Sequence, residues 1–255
     1  MIHHPSFSRV CALPIAIFIG LSACSPTPQG GGISDPYESA NRVSHSVNKG
    51  VDTAVLRPVS QAYGTVLPNG VRRSLSNFAS NLDEPRSMVN HIVQGDLEDA
   101  AHTFFRFAVN STIGVLGLFD PATGDFGLAE RETGFGDTLA VWGVRQGAYL
   151  ELPLFGPSSE RAALGLVVDI VTNPLSSITN DSTEASVATF APPVLNTRYE
   201  LSDTIDALLY ESEDSYAQSR LFYSENRRFQ LDGQNSAEST FDPYDEIFGE
   251  VEGDR

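Results

Sequence analysis

One thiol and one guanidinium carry most of the chemistry open to this sequence. The thiol is Cys24, in Leu21-Ser22-Ala23-Cys24. It follows an uncharged apolar run, Val10–Gly20, and that run follows a short segment whose fixed positive charge is Arg9. An apolar run of this length suits a signal peptide and is too short to span a bilayer, which takes about 20 residues. Small residues at 22 and 23 fit a peptidase cleft, and the thiol is a nucleophile that can take a diacylglyceryl group. These residues form the pattern of a lipoprotein processing site: residues 1–23 leave, and Cys24 carries the acyl chains, palmitate among them. Each buried methylene contributes ~0.8 kcal/mol, so more than one chain makes a stable anchor. Ser25, where an Asp would retain the protein at the inner membrane, favours the periplasmic side of the outer membrane. Cys11 leaves with the signal peptide, so the mature chain is expected to hold no disulfide and no cysteine metal site.

The guanidinium is Arg106, the one charged residue in Ala100–Phe119. His102, Arg106, Asn110 and Gly114 recur at a spacing of four, which puts them on one face of a helix. The other faces carry Phe104, Phe105, Phe107, Val109, Ile113 and Val115. A surface helix of a water-soluble protein shows the opposite proportion of polar to apolar. Two arrangements fit. In one, this is a core helix whose stripe is hydrogen-bonded inside the fold, and an intramolecular Arg–carboxylate pair explains Arg106. In the other, the apolar surround meets lipid tails, the stripe faces a polar path, and the planar fork of Arg106 meets a phosphate.

Other chemistry finds little support. There is no G-x-S-x-G elbow, P-loop or H-E-x-x-H, and Gly134-Phe135-Gly136 lacks the third glycine of a dinucleotide loop. The mature chain has three histidines, His45, His91 and His102, and only Asp99–His102 has a metal-like spacing. No catalytic residue, metal site or cofactor is therefore expected. The formal charge is −17, and Lys49 is the only lysine. Such a chain lacks the basic patches that nucleic acid requires, and anionic headgroups repel it, so membrane contact must be apolar.

The elements that position these residues read as mostly α. Residues 24–34 are Pro, Gly and Ser-rich and read as a flexible tether. Residues 232–255 are acidic, poor in apolar groups, and read as a disordered tail. Between them, residues 35–231 form the domain. Asp35-Pro36-Tyr37-Glu38 predicts a helix start with Asp35 as its cap, followed by an apolar stripe through Val43, Val47 and Val51. Pro58 ends or kinks that helix. Val71–Ala79 and Pro85–Val93 predict two short helices, Gly95 a helix end and Asp96 a cap. Residues 120–147, with six glycines, predict loops, and Tyr149–Phe155 a short strand. Ser158 caps a helix to about Val171. Ala191-Pro192-Pro193 predicts a break before helices over Val194–Tyr210 and Glu213–Phe229.

Taken in order, these residues resemble the VacJ-like, or MlaA, family of outer-membrane lipoproteins. The similarity rests on Asp35-Pro36-Tyr37-Glu38 with Asn41-Arg42, Asn81-Leu82-Asp83-Glu84-Pro85, Gln94-Gly95-Asp96, Arg106-Phe107 with Asn110-Ser111-Thr112, Phe135-Gly136-Asp137-Thr138-Leu139, and Leu195-Asn196-Thr197-Arg198. The resemblance implies a ring-like helical domain embedded in one membrane leaflet, with glycine-rich loops and at most short strands. It further implies a non-enzymatic transporter, in which phospholipid misplaced in the outer leaflet enters an amphipathic channel and passes to a periplasmic phospholipid-carrier protein, beside a trimeric porin. Under it, His102, Arg106 and Asn110 are candidates for the lipid path. Gly143 and Gly147 match a hinge turn at the channel mouth, although Arg145 stands where the family often has glycine. A structural lipoprotein that tethers envelope partners without moving lipid remains the alternative. On the anchor the sequence makes a direct prediction: Cys24→Ala should abolish incorporation of labelled palmitate and release the protein from the membrane fraction.

Overall fold

The computed structural model describes residues 33–172 and 182–236, with side chains described through 172 and from 190 to 230. The signal peptide, Cys24 and most of the tether and tail lie outside these residues. Helix α1, Glu38–Val51, leads through a π-helical turn, Asp52–Leu56, into α2, Arg57–Val66. Two long helices follow, α3 (Asn69–Gln94) and α4 (Leu97–Thr112), then the short helices α5 (Pro121–Gly124) and α6 (Phe135–Val141). An antiparallel hairpin pairs β1, Tyr149–Leu152, with β2, Gly156–Ser159. The chain closes with α7 (Glu160–Thr172), α8 (Ser182–Glu200), α9 (Ser202–Asp206), a second π-helical turn (Ala207–Glu211) and α10 (Ser215–Ser236).

Packing closes a circuit. Helix α2 lies on α8, α8 on α3, α3 on α6, α6 on α7, α7 on β1, and β1 on α1, which returns to α2 through the π turn. Helix α4 flanks α3 outside this circuit, and α10 reaches both the second π turn and β2. The fold is thus mostly α with one two-stranded hairpin, arranged as the ring-like expectation requires. Among the described residues no helix is long and apolar enough to cross a membrane.

The distribution of side chains is inverted relative to a water-soluble globule. Among the described residues eight apolar ones are buried against twenty-one polar or charged ones, while thirty-two large apolar residues are exposed. The interior is therefore held by hydrogen bonds and ion pairs, and most of the exposed apolar surface faces outward, the rest bordering a cavity. Val43, Val47, Val55 and Val59 form one such outward row, and Phe104, Phe105, Ile113 and Phe119 another.

Several local expectations change for identifiable reasons. Tyr37, not Asp35, stands at the N-cap of α1. Asp35 instead accepts bonds from Asn41 Nδ2 at 2.9 Å and Arg220 Nη1 at 2.6 Å, tying the start of the chain to α10. Pro58 neither ends nor sharply breaks its helix. Lacking an N–H and crowding the carbonyl four residues back, it is preceded by a wider turn in which Arg57 N bonds Asp52 O. The two short helices expected over Val71–Val93 are one helix, with Pro85 inside it. The polar residues read as a break face a partner instead: Asn81 Nδ2 donates to Ser111 Oγ (3.0 Å), and Glu84 accepts from Arg106 Nε (2.5 Å). Pro192 and Pro193 likewise lie within α8. Two short helices, α5 and α6, occupy the stretch read as loops, and the helix expected from Val194 stops at Glu200.

The Arg106 cluster sets the price of error in this interior. Nη1 and Nη2 of Arg106 each reach Asp120 at 3.1 Å, and Nη1 also bonds Leu128 O at 2.8 Å. The side chain is 4% exposed. Burial pushes Glu84 up to about 7 against the pull of Arg106. Removing one partner of such a buried pair leaves a charge without compensation, at a cost of about 3–5 kcal/mol. Arg106→Leu should therefore lower the unfolding free energy by that amount and collapse cellular abundance, measured by urea titration and immunoblot.

Candidate functional site

Three adjoining cavities lie among the elements of the circuit. The largest, about 730 Å³, is walled by Phe155, Phe190, Ile205, Leu208 and Phe222. A second, about 630 Å³, presents Arg86, Glu132, Asp137, Asp169 and Arg227. A third, about 170 Å³, shares Phe190, Pro193 and Val194 with the first and Arg86 and Glu132 with the second. Pro157, Tyr223 and Asn226 border both large cavities. One side of this space is apolar and the other is charged, which matches the division of a phospholipid into tails and headgroup.

Helices α8 and α10 supply most of the shared wall. Asp52, in the first π turn, anchors α8: its oxygens accept from Arg198 Nε at 2.7 Å and Nη2 at 2.9 Å, and from Tyr210 Oη at 2.7 Å. Burial opposes the ionised form of Asp52, but Arg198 and Tyr210 outweigh it and hold the carboxyl below its usual range. On the apolar cavity's rim, Glu151 is buried and takes bonds from His45 Nδ1 (3.0 Å) and Tyr149 Oη (2.7 Å). At the charged end, Arg86 is shared among Asp83, Asp169 and Glu132. Burial works against its charge, and these acids more than offset that, raising its pKa above the ordinary value. Arg227 pairs with Asp137. The cations at this end are therefore already neutralised.

The stripe seen in the sequence is brought together, but against protein. His102 Nε2 meets Ala129 O at 2.8 Å, Asn110 Nδ2 donates to Asp120 Oδ1 at 2.9 Å, and Arg106 joins Glu84 and Asp120. None of the three lines the cavities just described. His91, Asp96 and Asp99 bring ligand atoms within 4.8 Å of one another. Asp96, however, caps α4 through Asp99 N, and Asp99 pairs with Arg131. The wall residues of α8 and α10 were missed in the sequence; the proline pair inside an apolar stretch and the Phe222-Tyr223 step were the available signals.

Gly143 and Gly147 flank an exposed loop and both have positive φ, 81° and 74°. Gly143 ends α6: Gly143 N bonds Ala140 O and Val144 N bonds Leu139 O, a Schellman closure that needs a left-handed residue. A Cβ on Gly143 would meet open space, whereas one on Gly147 would overlap the Glu160 side chain.

A helical body with an apolar exterior, a hydrogen-bonded polar interior and an amphipathic cavity is a protein of the membrane interface. The comparisons are specific. The MlaA lipoprotein family model matches residues 33–230, and the chain belongs to that family. The intermembrane phospholipid transport system lipoproteins MlaA of Shigella flexneri and Escherichia coli K12 are each 34% identical over 87% of both chains. An uncharacterized protein of Rickettsia felis is 34% identical over 72% of both. A solved structure concerned with the structural basis for maintenance of bacterial outer membrane lipid asymmetry has a TM-score of 0.66 at 35% identity, covering 77% of this chain and 98% of its own.

The two loop glycines should differ on substitution. Gly143→Ala is expected to cost about 1 kcal/mol, the left-handed backbone term alone. Gly147→Ala adds overlap with Glu160 and is expected to cost roughly 2 kcal/mol or more. Urea unfolding of the two variants side by side tests the order.

Proposed function

We propose that this protein is a lipid-anchored conduit in the outer membrane. Phospholipid misplaced in the outer leaflet enters the cavity, passes through with its headgroup on the Arg86–Arg227 side and its tails on the Phe190–Phe222 side, and leaves towards a periplasmic carrier. No covalent chemistry is involved. The single observation that carries this reading is the inverted body: an apolar jacket around a polar interior, with a space of matching two-sided character inside it. The names of the relatives point the same way, since the Shigella and Escherichia proteins are lipoproteins of an intermembrane phospholipid transport system. Anchoring through Cys24, and a trimeric porin as neighbour in the membrane, belong to the same proposal. The loop between Gly143 and Gly147 is assigned the hinge. The stripe of His102, Arg106 and Asn110 is assigned to holding α3, α4 and the 120–128 segment together, so that it acts on the path through the wall rather than by touching lipid.

Two measurements test this. Deletion of the gene should raise outer-leaflet phospholipid and detergent sensitivity, and unchanged leaflet composition would overturn the proposal. Val194 borders two of the cavities, so Val194→Trp should obstruct the passage. The variant is expected to reach normal abundance and fail to restore leaflet composition in the deletion strain, whereas a tether that moves no lipid predicts full restoration.

A further inference from the structure

Ten arginines among the described residues make ion pairs. Of the three others, Arg73 and Arg145 are exposed, and Arg161 is 7% exposed. Arg161 is thus the buried guanidinium without a carboxylate, an expensive arrangement. Burial, then the nearby charge of Arg227, pull its pKa down. Its Nη1 donates to Val144 O at 2.9 Å, while Nε and Nη2 have no partner. Those two nitrogens share one edge of the planar group, where their hydrogens form a fork for two oxygens. The same edge of Arg198 grips both carboxylate oxygens of Asp52.

The position of Arg161 is as informative as its chemistry. It lies in the first turn of α7, under the loop between Gly143 and Gly147, and its backbone N bonds Gln146 O at 3.2 Å. Both ties from Val144 and Gln146 to α7 are therefore made by this one residue. The loop contains no acid and adds the exposed Arg145. Asp137, Tyr223 and Arg227, the electrostatic neighbours of Arg161, line the charged cavity, as does the adjacent Ala162.

We propose that Arg161 is a seat for the phosphodiester of a phospholipid headgroup, reached when the 143–147 loop lifts from α7, with the two non-bridging oxygens accepting from Nε–H and Nη2–H. This rests on the transport reading and gives it a headgroup site. The test uses full-length lipidated protein in non-ionic detergent. Co-purifying phospholipid is quantified by mass spectrometry for wild type, Arg161→Gln and Arg161→Lys, and melting temperatures are read with dioleoylphosphatidylglycerol, dioleoylglycerol or inorganic phosphate added. Arg161→Gln should retain roughly tenfold less phospholipid, the loss expected for a charge-assisted pair. Arg161→Lys, a point charge without the fork, should fall between. Phosphatidylglycerol should raise the wild-type melting temperature and dioleoylglycerol should not. Equal retention by wild type and Arg161→Gln, or an equal rise with dioleoylglycerol, overturns the seat and leaves transport standing. A rise with inorganic phosphate and none with phosphatidylglycerol assigns the site to a free anion and overturns the headgroup assignment. Wild type without phospholipid counts against the transport reading itself. Should Arg161→Gln fail to accumulate, Arg161→Lys decides by its melting shift, and a shift equal to wild type overturns the seat.

Discussion

A body that turns most of its apolar side chains outward has little hydrophobic core to hold it together, so its polar interior must satisfy itself. Two buried clusters meet that demand. Arg198 with Asp52 and Tyr210 locks α8 to the α1–α2 junction, and Arg106 with Glu84 and Asp120 locks α4 to α3 and the segment beyond. Buried pairs of this kind contribute little net free energy over an apolar replacement, yet losing one partner is severe. Their service is specificity: each forked guanidinium accepts one arrangement of carboxylates and so fixes which helices meet. With α8 and α3 both placed, the remaining contacts through α6, α7 and β1 close the circuit.

Closure of that kind leaves space between elements, and the space inherits its character from the elements around it. The side bordered by Phe155, Phe190 and Phe222 is apolar because those residues sit on the inward faces of the hairpin, α8 and α10. The other side is charged because α3, α6 and α7 bring Arg86, Asp137 and Asp169 to it. Glycines permit the close crossing there: a side chain on Gly165 would overlap the backbone of Gly136, so α6 and α7 approach as only glycine allows.

Much of the architecture was legible in the sequence. The Asp96 cap, the Gly95 helix end, the strand at Tyr149 and the helix running to Thr172 depend on local backbone chemistry, and local rules find them, although Ser159, whose Oγ accepts from Ala162 N, caps that helix while Ser158 lies in β2. The proline positions misled because proline breaks a helix only where nothing else holds it. Pro85 sits beside Glu84 and near Asn81, both gripped from α4, and that tertiary hold cannot be read from α3 alone. Arg106 stands out in the sequence as an anomaly with two competing explanations; the partner that distinguishes them, Glu84, is 22 residues away and on another helix. The cavity walls stayed hidden for the same reason. Phe190 and Phe222 look like ordinary core residues until the fold shows that they face a space.

The acidic balance of the chain bears on how a headgroup would move. A phosphate is attracted by free cations and held by strong ones, and a conduit must bind well enough to admit its cargo and weakly enough to release it, as channels do. Under the proposed transport Arg86 and Arg227 would satisfy this by arriving already paired, so that the charged end offers dipoles and shared hydrogens rather than a bare positive charge. Against such a neutralised surface, one unpaired guanidinium carries more weight than it would on a basic protein. In the proposed passage Arg161, placed beneath the glycine-flanked loop, is where a headgroup's charge and the covering segment would meet in the same side chain.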